Sequence, residues 1–290
     1  MKLRSELRRW LLLFVVTALA PALAYPAWRH LYPVLAAPGW DYRVFQDGIE
    51  RVSALVREPQ GTLFISQEFA DGQGTILRRS LDGRLEEVLH GLSKPDGLAL
   101  YRDGVALSQE GGHLPVLLLQ GDRAEPLFSA NNVESLTSDG HYLYAIEDKK
   151  LGRLLRYDPA NGEVVTLRDG LDEGEAVAVC ADGRLFYTEK RKGWVKQWQA
   201  SGADQLVQAN LHQPGFLLCS ADGLWISEDS THMARLLLLD PAGQLQVVLQ
   251  HLRSAQSIIA LEPGHYLVAE QGRNRILELT RLANGSKQHG

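Results

Sequence analysis

The sequence lacks several features that mark common functional classes. Its 290 residues carry a formal net charge of −5, so no overall basic excess points to binding of nucleic acid. No G-x-S-x-G motif occurs, so the nucleophile elbow of many serine hydrolases is absent. The histidines show no zinc-ligand spacing, and the pattern H-x-x-x-H does not occur. These absences argue against a nucleic-acid partner and against two familiar hydrolytic chemistries.

Only one long uncharged run is present, and it lies near the N-terminus. Residues 1–9 are basic, and residues 10–28 then form a stretch of 19 residues without a charge. Such a stretch could just span a bilayer as a helix. Its apolar centre is short, and "ALA" at 22–24 resembles a cleavage site, so a cleaved signal peptide and a retained anchor both remain open. In either case the flanking basic residues predict export of the rest of the chain, to the periplasm or another extracytoplasmic space.

No second run of this kind follows, which predicts a soluble body. We expect a linker at 29–41, a globular domain at 42–282 and a flexible tail at 283–290. The only predicted link to a membrane is the N-terminal segment, if it is not cleaved. The 27 glycines and 12 prolines are many for a helical protein and usual for one rich in turns.

The body is built from a repeat of about 40 residues. The aligned copies are "RVSALVREPQGTLFISQE" from 51, "KPDGLALYRDGVALSQE" from 94, "NVESLTSDGHYLYAIED" from 132, "GLDEGEAVAVCADGRLFYTEK" from 170, "QPGFLLCSADGLWISED" from 213 and "SAQSIIALEPGHYLVAEQGRNRILEL" from 254. Each reads as an apolar strand, a glycine-containing turn and a second strand that ends in Glu or Gln. Further strands complete each unit, and four short strands per unit of this length are typical of a propeller blade.

Six units predict an all-β, six-bladed β-propeller with four-stranded blades. The sixth unit lacks its outer strand, but "YRVFQDGI" at 42–49 matches the closing strands of the other units. We therefore predict that this N-terminal strand completes blade six, which leaves no open seam in the ring. An antiparallel barrel is the alternative, and the regular period and this complementarity argue against it.

The repeat also predicts which side chains meet at the top of the central channel. A first ring opens the inner strands and consists of Ser53, Asp96, Glu134, Glu175, Gly215 and Gln256. A second ring ends the second strands and consists of Gln67, Gln109, Glu147, Glu189, Glu228 and Glu270. Because the second ring holds Glu or Gln in every blade, it is interpreted as structural, with side chains that satisfy loop N–H groups. Ser66, Ser108 and Ser227 recur beside it, which favours backbone bonding over nucleophilic catalysis.

The first ring breaks the repeat with three carboxylates, Asp96, Glu134 and Glu175. Carboxylates in one narrow opening repel unless they are protonated or neutralised by a cation. Oxygen-rich, irregular sets suit Ca²⁺ best, and Asn132 lies nearby and can add an oxygen. The alternative is that these acids splay outward on solvated loops. The sequence thus permits a divalent-cation site at the channel mouth but does not require one.

The two cysteines also leave two possibilities open. Cys180 and Cys219 lie late in the inner strands of adjacent blades, offset by one position against the repeat. Because side chains alternate along a strand, such an offset makes the two cysteine side chains point either toward each other or away from each other. An exported chain permits a disulfide, and two buried thiols are the alternative.

The repeats "PDGLAL…DGVALSQE" and "LVAEQGRNRILEL" resemble those of NHL-type propellers and of the SMP-30/gluconolactonase family. The resemblance covers about residues 42 to 282 and implies a calcium- or zinc-dependent hydrolase of lactones and related esters. It implies a metal at the channel mouth held by Glu, Asn and Asp, with Asp96 in "KPDG" and Glu173 or Glu175 in "EGEA" as candidate ligands. The family's opening "EGP" is absent, since blade one reads "IERVSAL", and its "NG" at an inner-strand start is missing too.

Two functional hypotheses follow. In the first, an exported or membrane-anchored hydrolase binds Ca²⁺ through Asp96, Glu134 and Glu175, and one carboxylate activates water for attack on a lactone or ester. The family resemblance implies that Asp96 is this base. In the second, a non-catalytic propeller presents its top face to a protein, a glycan or a small ligand. The missing family signature favours the second hypothesis, whereas the clustered acids favour the first.

Overall fold

The computed structural model describes residues 8–10, 13–15, 17, 19–21, 24–25, 28 and 31–283 of the chain. The strands of the propeller form six antiparallel sheets that radiate from the channel. Five sheets have four strands, and the sheet of blade five has a fifth, the two-residue strand that ends at Ala36, on its outer edge. The inner strands contact one another in a closed ring. The predicted all-β, six-bladed propeller is confirmed.

The strands of the first three blades have the following bounds. Blade one contains β3 to β6, at Val52–Arg57, Leu63–Gln67, Gly74–Arg79 and Leu85–Leu92. Blade two contains β7 to β10, at Leu98–Tyr101, Gly104–Leu107, His113–Gln120 and Arg123–Asn131. Blade three contains β11 to β14, at Val133–Ser138, Leu143–Glu147, Lys150–Asp158 and Glu163–Asp172.

The remaining blades continue the pattern. Blade four contains β15 to β18, at Gly174–Val179, Leu185–Glu189, Trp194–Gln197 and Gln205–Gln208. Blade five contains β19 to β22, at Pro214–Ser220, Gly223–Glu228, Ala234–Leu239 and Leu245–Leu252. Blade six contains β23 to β25, at Ala255–Glu262, His265–Glu270 and Arg275–Arg281, and a short 3₁₀ helix lies at Gln271–Arg273. Two further strands precede blade one, β1 at Leu35–Ala36 and β2 at Trp40–Asp47.

Strand β2 closes the ring, as the sequence predicts. It pairs antiparallel with β25 from Trp40 opposite Arg281 to Asp47 opposite Arg275, and so supplies the fourth strand of blade six. The strand begins at Trp40, slightly earlier than the predicted match at 42–49. Trp40 is buried and meets the Trp225 ring edge-on at a centroid distance of 5.4 Å. The first and last parts of the domain are therefore joined by a full strand ladder, and Trp40 adds an aromatic contact with blade five.

Alternating side chains build the core between neighbouring blades. Between blades two and three, for example, Ala99 and Tyr101 belong to the same buried cluster as Leu136 and Leu143. Polar turns close the strands at the opposite ends. In one of them the Asp240 carboxylate accepts a hydrogen bond from the N–H of Gln244 at 2.8 Å.

The N-terminal predictions lie partly outside the described residues, as does most of the predicted tail at 283–290. The chain divides into two units, Met1–Leu35 and Ala36–Gly290. The described residues from 8 to 31 are helical. Within the described parts of the chain, no helix combines the length and apolarity needed to cross a membrane. Export, cleavage and anchoring therefore stay predictions.

Cys180 and Cys219 form a disulfide, which settles the choice that the sequence left open. Cys180 directly follows β15 and Cys219 lies in β19, so the bond joins blades four and five with a Cα–Cα distance of 5.2 Å. The one-residue offset thus turns the two side chains toward each other. A covalent bond between adjacent blades limits the separation of the propeller in this sector.

Removing this bond is expected to lower the free energy of unfolding by about 2–4 kcal/mol. The bridged residues are 39 apart in sequence, so the bond restricts the unfolded chain substantially. The measurement is urea unfolding of the double variant Cys180→Ala/Cys219→Ala beside the parent protein. The reduced parent should match the variant, whereas equal stability of the variant and the oxidised parent would contradict the expectation.

Candidate functional site

The top of each blade is organised by a backbone irregularity at the start of the inner strand. In blade one, Val52 pairs with Gln67, and the ladder then shifts before Leu55. The N–H of Ala54, freed by this shift, donates to Ser66 Oγ at 2.8 Å. Equivalent bonds run from Gly97 to Ser108, from Ala176 to Thr188 and from Phe216 to Ser227. The hydroxyls beside the second ring therefore satisfy the backbone, in agreement with the prediction.

The second-ring acids stabilise the loops in the same way. Each carboxylate accepts the N–H of a residue just before the inner strand of its blade, from Asn131, Asp172, His212 or Arg253. Each also pairs with a cation in or near the third strand. The pairs are Glu147 with Arg153, Glu189 with Lys192 and Lys196, Glu228 with Arg235, and Glu270 with Arg273 and Arg275. These four acids already have their charge partners.

Blades one and two show why the second ring holds Gln instead of Glu in two of its positions. Gln67 accepts a hydrogen bond from Thr75 Oγ1 at 2.9 Å and donates to the Glu50 carbonyl at 2.8 Å. Gln109 donates to the Pro115 carbonyl at 3.2 Å. Gln67 faces Thr75 and Gln109 meets Pro115, so the third strand offers no cation at the facing position and a neutral amide replaces the carboxylate, because an unpaired buried charge is costly. The contacts of the whole ring support its structural interpretation.

The three first-ring acids lie together at the channel mouth and are almost wholly buried. The exposed fraction is 2% for Asp96, 6% for Glu134 and 3% for Glu175. The Ser53 hydroxyl donates to Asp96 Oδ1, and the Lys190 ammonium donates to Glu175 Oε1. Among residues 31–283, no side chain forms a hydrogen bond or ion pair with the Glu134 carboxylate. The acids therefore do not splay outward, and Glu134 lacks a partner.

The Asn132 carboxamide forms hydrogen bonds with neighbouring loops. Its Oδ1 accepts the N–H of Gly112 at 2.7 Å, and its Nδ2 donates to the Asp148 carbonyl at 3.4 Å. The residue itself has a positive φ of 45°, which Asn tolerates better than most side chains. Asn132 thus orders the loop between blades two and three, and its oxygen is already engaged.

Sequence reasoning missed a third set of residues that lines the mouth. Directly after each second-ring residue stand Glu68, Glu110, Asp148, Lys190, Asp229 and Gln271. They line a recess of about 190 Å³ that we call the mouth recess. Its full lining is polar and consists of these six residues with Lys94, Glu134, Glu175, Thr231, Ser254 and Gln256. The alternation of side chains along a strand was the available signal. If the side chain of a second-ring residue points toward the loops, the side chain of the next residue points to the opposite side.

Asp96 does not line the mouth recess, but it lies close to it. One oxygen each of Glu68, Asp96 and Glu110 lie within 4.8 Å of one another. Glu110, Glu134 and Asp148 form a second trio by the same measure. Glu110 therefore belongs to both trios.

Two lysines supply positive charge inside this acidic surface. Lys94 Nζ lies 3.4 Å from Glu68 Oε1 and forms an ion pair with Glu110. Lys190 pairs with Glu175 and lies 3.1 Å from Asp229 Oδ2. Burial opposes its charged form, yet these two carboxylates raise the pKa of Lys190 above its usual value. Both lysines are therefore cations in the folded protein.

Burial makes the carboxylates poor anions unless a cation joins them. It raises the pKa of Asp96 and Glu134 well above their usual range, and neighbouring carboxylates add to both shifts. Burial also raises the pKa of Glu175 to about 8, although Lys190 opposes this. Two buried oxygens, Glu175 Oε2 and Asp148 Oδ1, have no hydrogen-bond partner. Such a set of unsatisfied hard oxygens fits a hard divalent cation such as Ca²⁺.

Comparison with known proteins supports the fold and leaves the activity open. No protein-family model matches the sequence, and no curated protein matches it. A solved structure proposed to be a gluconolactonase is similar with a TM-score of 0.67 and 14% identity, over 85% of this chain and 93% of that one. An inactive histidine-to-alanine variant of virginiamycin B lyase from Staphylococcus aureus, solved with quinupristin, gives a TM-score of 0.61 and 15% identity, over 81% and 82%. A chain from a nidogen/laminin complex gives 0.59 and 13%, over 74% and 92%.

At identities this low the shared feature is the fold. The resemblance to six-bladed propellers of the gluconolactonase type, drawn from the repeats, is confirmed at that level. The three similar structures are described as a proposed gluconolactonase, an inactive lyase variant and a nidogen/laminin complex, so the fold alone selects no activity.

Proposed function

We propose that this chain is an exported hydrolase of lactones or related esters that depends on a divalent cation, Ca²⁺ by preference, at the mouth of the propeller channel. The observation that carries the proposal is the state of Glu134, a carboxylate that is 6% exposed and unpartnered among the described residues. Burying an unpaired carboxylate is costly, and a bound cation removes that cost. The similarity to a structure proposed to be a gluconolactonase supports the reaction class.

The carboxylates of the mouth would hold the cation. Of the sequence-predicted ligands, Glu134 has no partner among the described residues, whereas the Ser53 hydroxyl bonds Asp96 and the Lys190 ammonium bonds Glu175. A bound divalent cation polarises a carbonyl and lowers the pKa of water. Asp96 is the proposed general base. Its carboxylate is oriented by the Ser53 hydroxyl, and burial raises the pKa of Asp96 above its usual range.

The mouth recess also bears on the substrate. Its lining contains only polar side chains, and its volume of about 190 Å³ admits a small polar group. The recess has no apolar side chains against which a long acyl chain could pack. We therefore expect small, hydroxyl-bearing lactones or esters to be preferred over long-chain ones.

Chelation is the test of this proposal. In EDTA the full chain should lose hydrolysis of small lactones and aryl esters, and added Ca²⁺ should restore it. A cation at 100 times its Kd stabilises the fold by about 2.7 kcal/mol, which corresponds to a rise in Tm of about 5–10 °C. Equal rates and equal Tm values with EDTA and with Ca²⁺ would overturn the proposal.

A second candidate function is binding without catalysis. The ion pairs of Lys94 and Lys190 already neutralise part of the mouth, which a purely recognising surface would also show. A chain in a nidogen/laminin complex has the same fold. A stable, metal-free protein that hydrolyses none of the test substrates but retains a protein or glycan ligand would favour this candidate.

A further inference from the structure

The positive charges of the mouth recess are unevenly distributed among its blades. Lys94 neutralises acids of blades one and two, since it pairs with Glu68 and Glu110. Lys190 neutralises acids of blades four and five, since it pairs with Glu175 and Asp229. Neither ammonium forms an ion pair with the blade-three acids Glu134 and Asp148. Burial raises the pKa of both carboxyl groups, and the more distant Lys190 charge opposes this only in part.

Blade three contributes two acids, and both lack a counter-ion. Within residues 31–283, no Lys, Arg or His nitrogen lies within 4.0 Å of a carboxylate oxygen of Glu134 or Asp148. Glu134 is more than nine-tenths buried, and Asp148 Oδ1 is buried without a hydrogen-bond partner. An oxygen of Glu110 completes a trio with these two acids.

The trio has the dimensions of a calcium site. Its three oxygens lie within 4.8 Å of one another, so a point no more than about 2.8 Å (4.8 Å divided by √3) from all three exists. Ca²⁺–oxygen distances are about 2.3–2.6 Å, whereas Mg²⁺ needs about 2.0–2.1 Å. A small inward adjustment therefore suits Ca²⁺, and Mg²⁺ would need a larger one. In the other trio, Lys94 pairs with two of the three acids, Glu68 and Glu110, whereas in the blade-three trio it pairs with Glu110 alone.

We propose that one Ca²⁺ binds at blade three, between Glu110, Glu134 and Asp148, and that Lys94 and Lys190 act as built-in counter-ions that prevent binding of a second cation. This inference rests on the cation of the proposed function and specifies its place and number. Lys190 holds Glu175 away from the cation, so the site differs from the one that the sequence predicts. Removing the Lys190 charge leaves Glu175 and Asp229 without a counter-ion beside the first site, and Asp229 then keeps only neutral partners such as Gln256 Nε2 at 2.9 Å.

The first test is a Ca²⁺ titration of the full, chelator-treated chain by calorimetry. The parent should bind one equivalent, and Glu134→Gln should weaken binding by at least about 100-fold. Asp148→Asn should do the same. The matched control is Glu125→Gln, because Glu125 lies at an exposed position of β10, pairs with exposed Arg123 and is absent from the recess lining. Parent-like affinity in Glu134→Gln and Asp148→Asn would overturn the proposal.

The second test uses Lys190→Met, which should raise the stoichiometry from one Ca²⁺ to two. Lys150→Met, a change at an exposed position of β13, should still bind one. A single equivalent in Lys190→Met would contradict the role given to the lysine. Folding is controlled by Tm in EDTA, where Glu134→Gln should melt no lower than the parent because the substitution removes an unpaired buried charge.

The outcomes separate this inference from the proposed function. If the variants change Ca²⁺ binding as expected but the parent hydrolyses no lactone or ester, the site is supported and the hydrolase proposal is wrong. If hydrolysis depends on Ca²⁺ but Glu134→Gln retains parent-like affinity, the hydrolase proposal survives and the blade-three site is wrong.

Discussion

Replacing Asp96 by Asn is expected to lower kcat for lactone or ester hydrolysis by about 10²–10⁴-fold, the usual contribution of a general base. Asparagine has nearly the same shape and can still bond the Ser53 hydroxyl that meets Asp96 in the parent. It cannot accept the proton of an attacking water. The measurement is steady-state hydrolysis at saturating Ca²⁺, beside Asp169→Asn, a matched change at an exposed position of β14.

The pH profile separates a base from a merely structural residue. In the parent, activity should fall as the pH drops through the raised pKa of Asp96, because protonation removes the base. The small residual activity of Asp96→Asn should not show this decrease at low pH. Stability in EDTA should not decrease, since the substitution removes a buried carboxylate that burial and Glu68 already disfavour as an anion. A variant with parent-like kcat would exclude Asp96 as the base.

Deleting residues 1–47 is expected to abolish cooperative unfolding or to cost at least about 5 kcal/mol, which is the lower end of typical domain stability. The deletion removes β2, the fourth strand of blade six, and exposes the full edge of β25. It also removes the buried Trp40 ring, whose truncation alone would cost about 3–5 kcal/mol. Ring closure thus depends on a short segment far from its partner in sequence.

The matched control deletes residues 1–31 and leaves β2 intact. This shorter deletion should unfold cooperatively, with a midpoint close to that of the full chain in urea. Thermal and urea unfolding followed by Trp fluorescence measure both variants. Parent-like stability after loss of residues 1–47 would show that β2 is not required for closure.

The sequence predicted most of the architecture because every blade repeats the same physical constraints. Alternation, glycine turns and a fixed period determined six blades, and the unpaired sixth unit identified its missing strand in residues 42–49. The second-ring roles were also predictable, because a residue type that recurs in every blade serves the fold. The contacts of Gln67 and Glu147 with loop groups follow that pattern.

The candidate site was only partly predictable. Asp96, Glu134 and Glu175 were singled out because they break the repeat, yet the residues that follow the second ring escaped notice. Glu110 and Asp148 looked like ordinary charged ends of strands, and only the closed ring shows that they face the recess. Lys190 stands in the basic run "EKRK" at 189–192, which is typical of a solvated loop, although its ammonium bonds Glu175 within the mouth. Pairing between distant segments depends on side-chain direction, which a repeat pattern leaves undetermined.

The most direct measurement is the anomalous difference density of crystals of the full chain grown with Mn²⁺ or Ca²⁺. The account predicts one cation peak at the channel mouth, within coordination distance of the Glu134 carboxylate, with the Lys190 ammonium still bound to Glu175. A mouth without any cation at saturating metal, in crystals of protein that remains stable in EDTA, would contradict it.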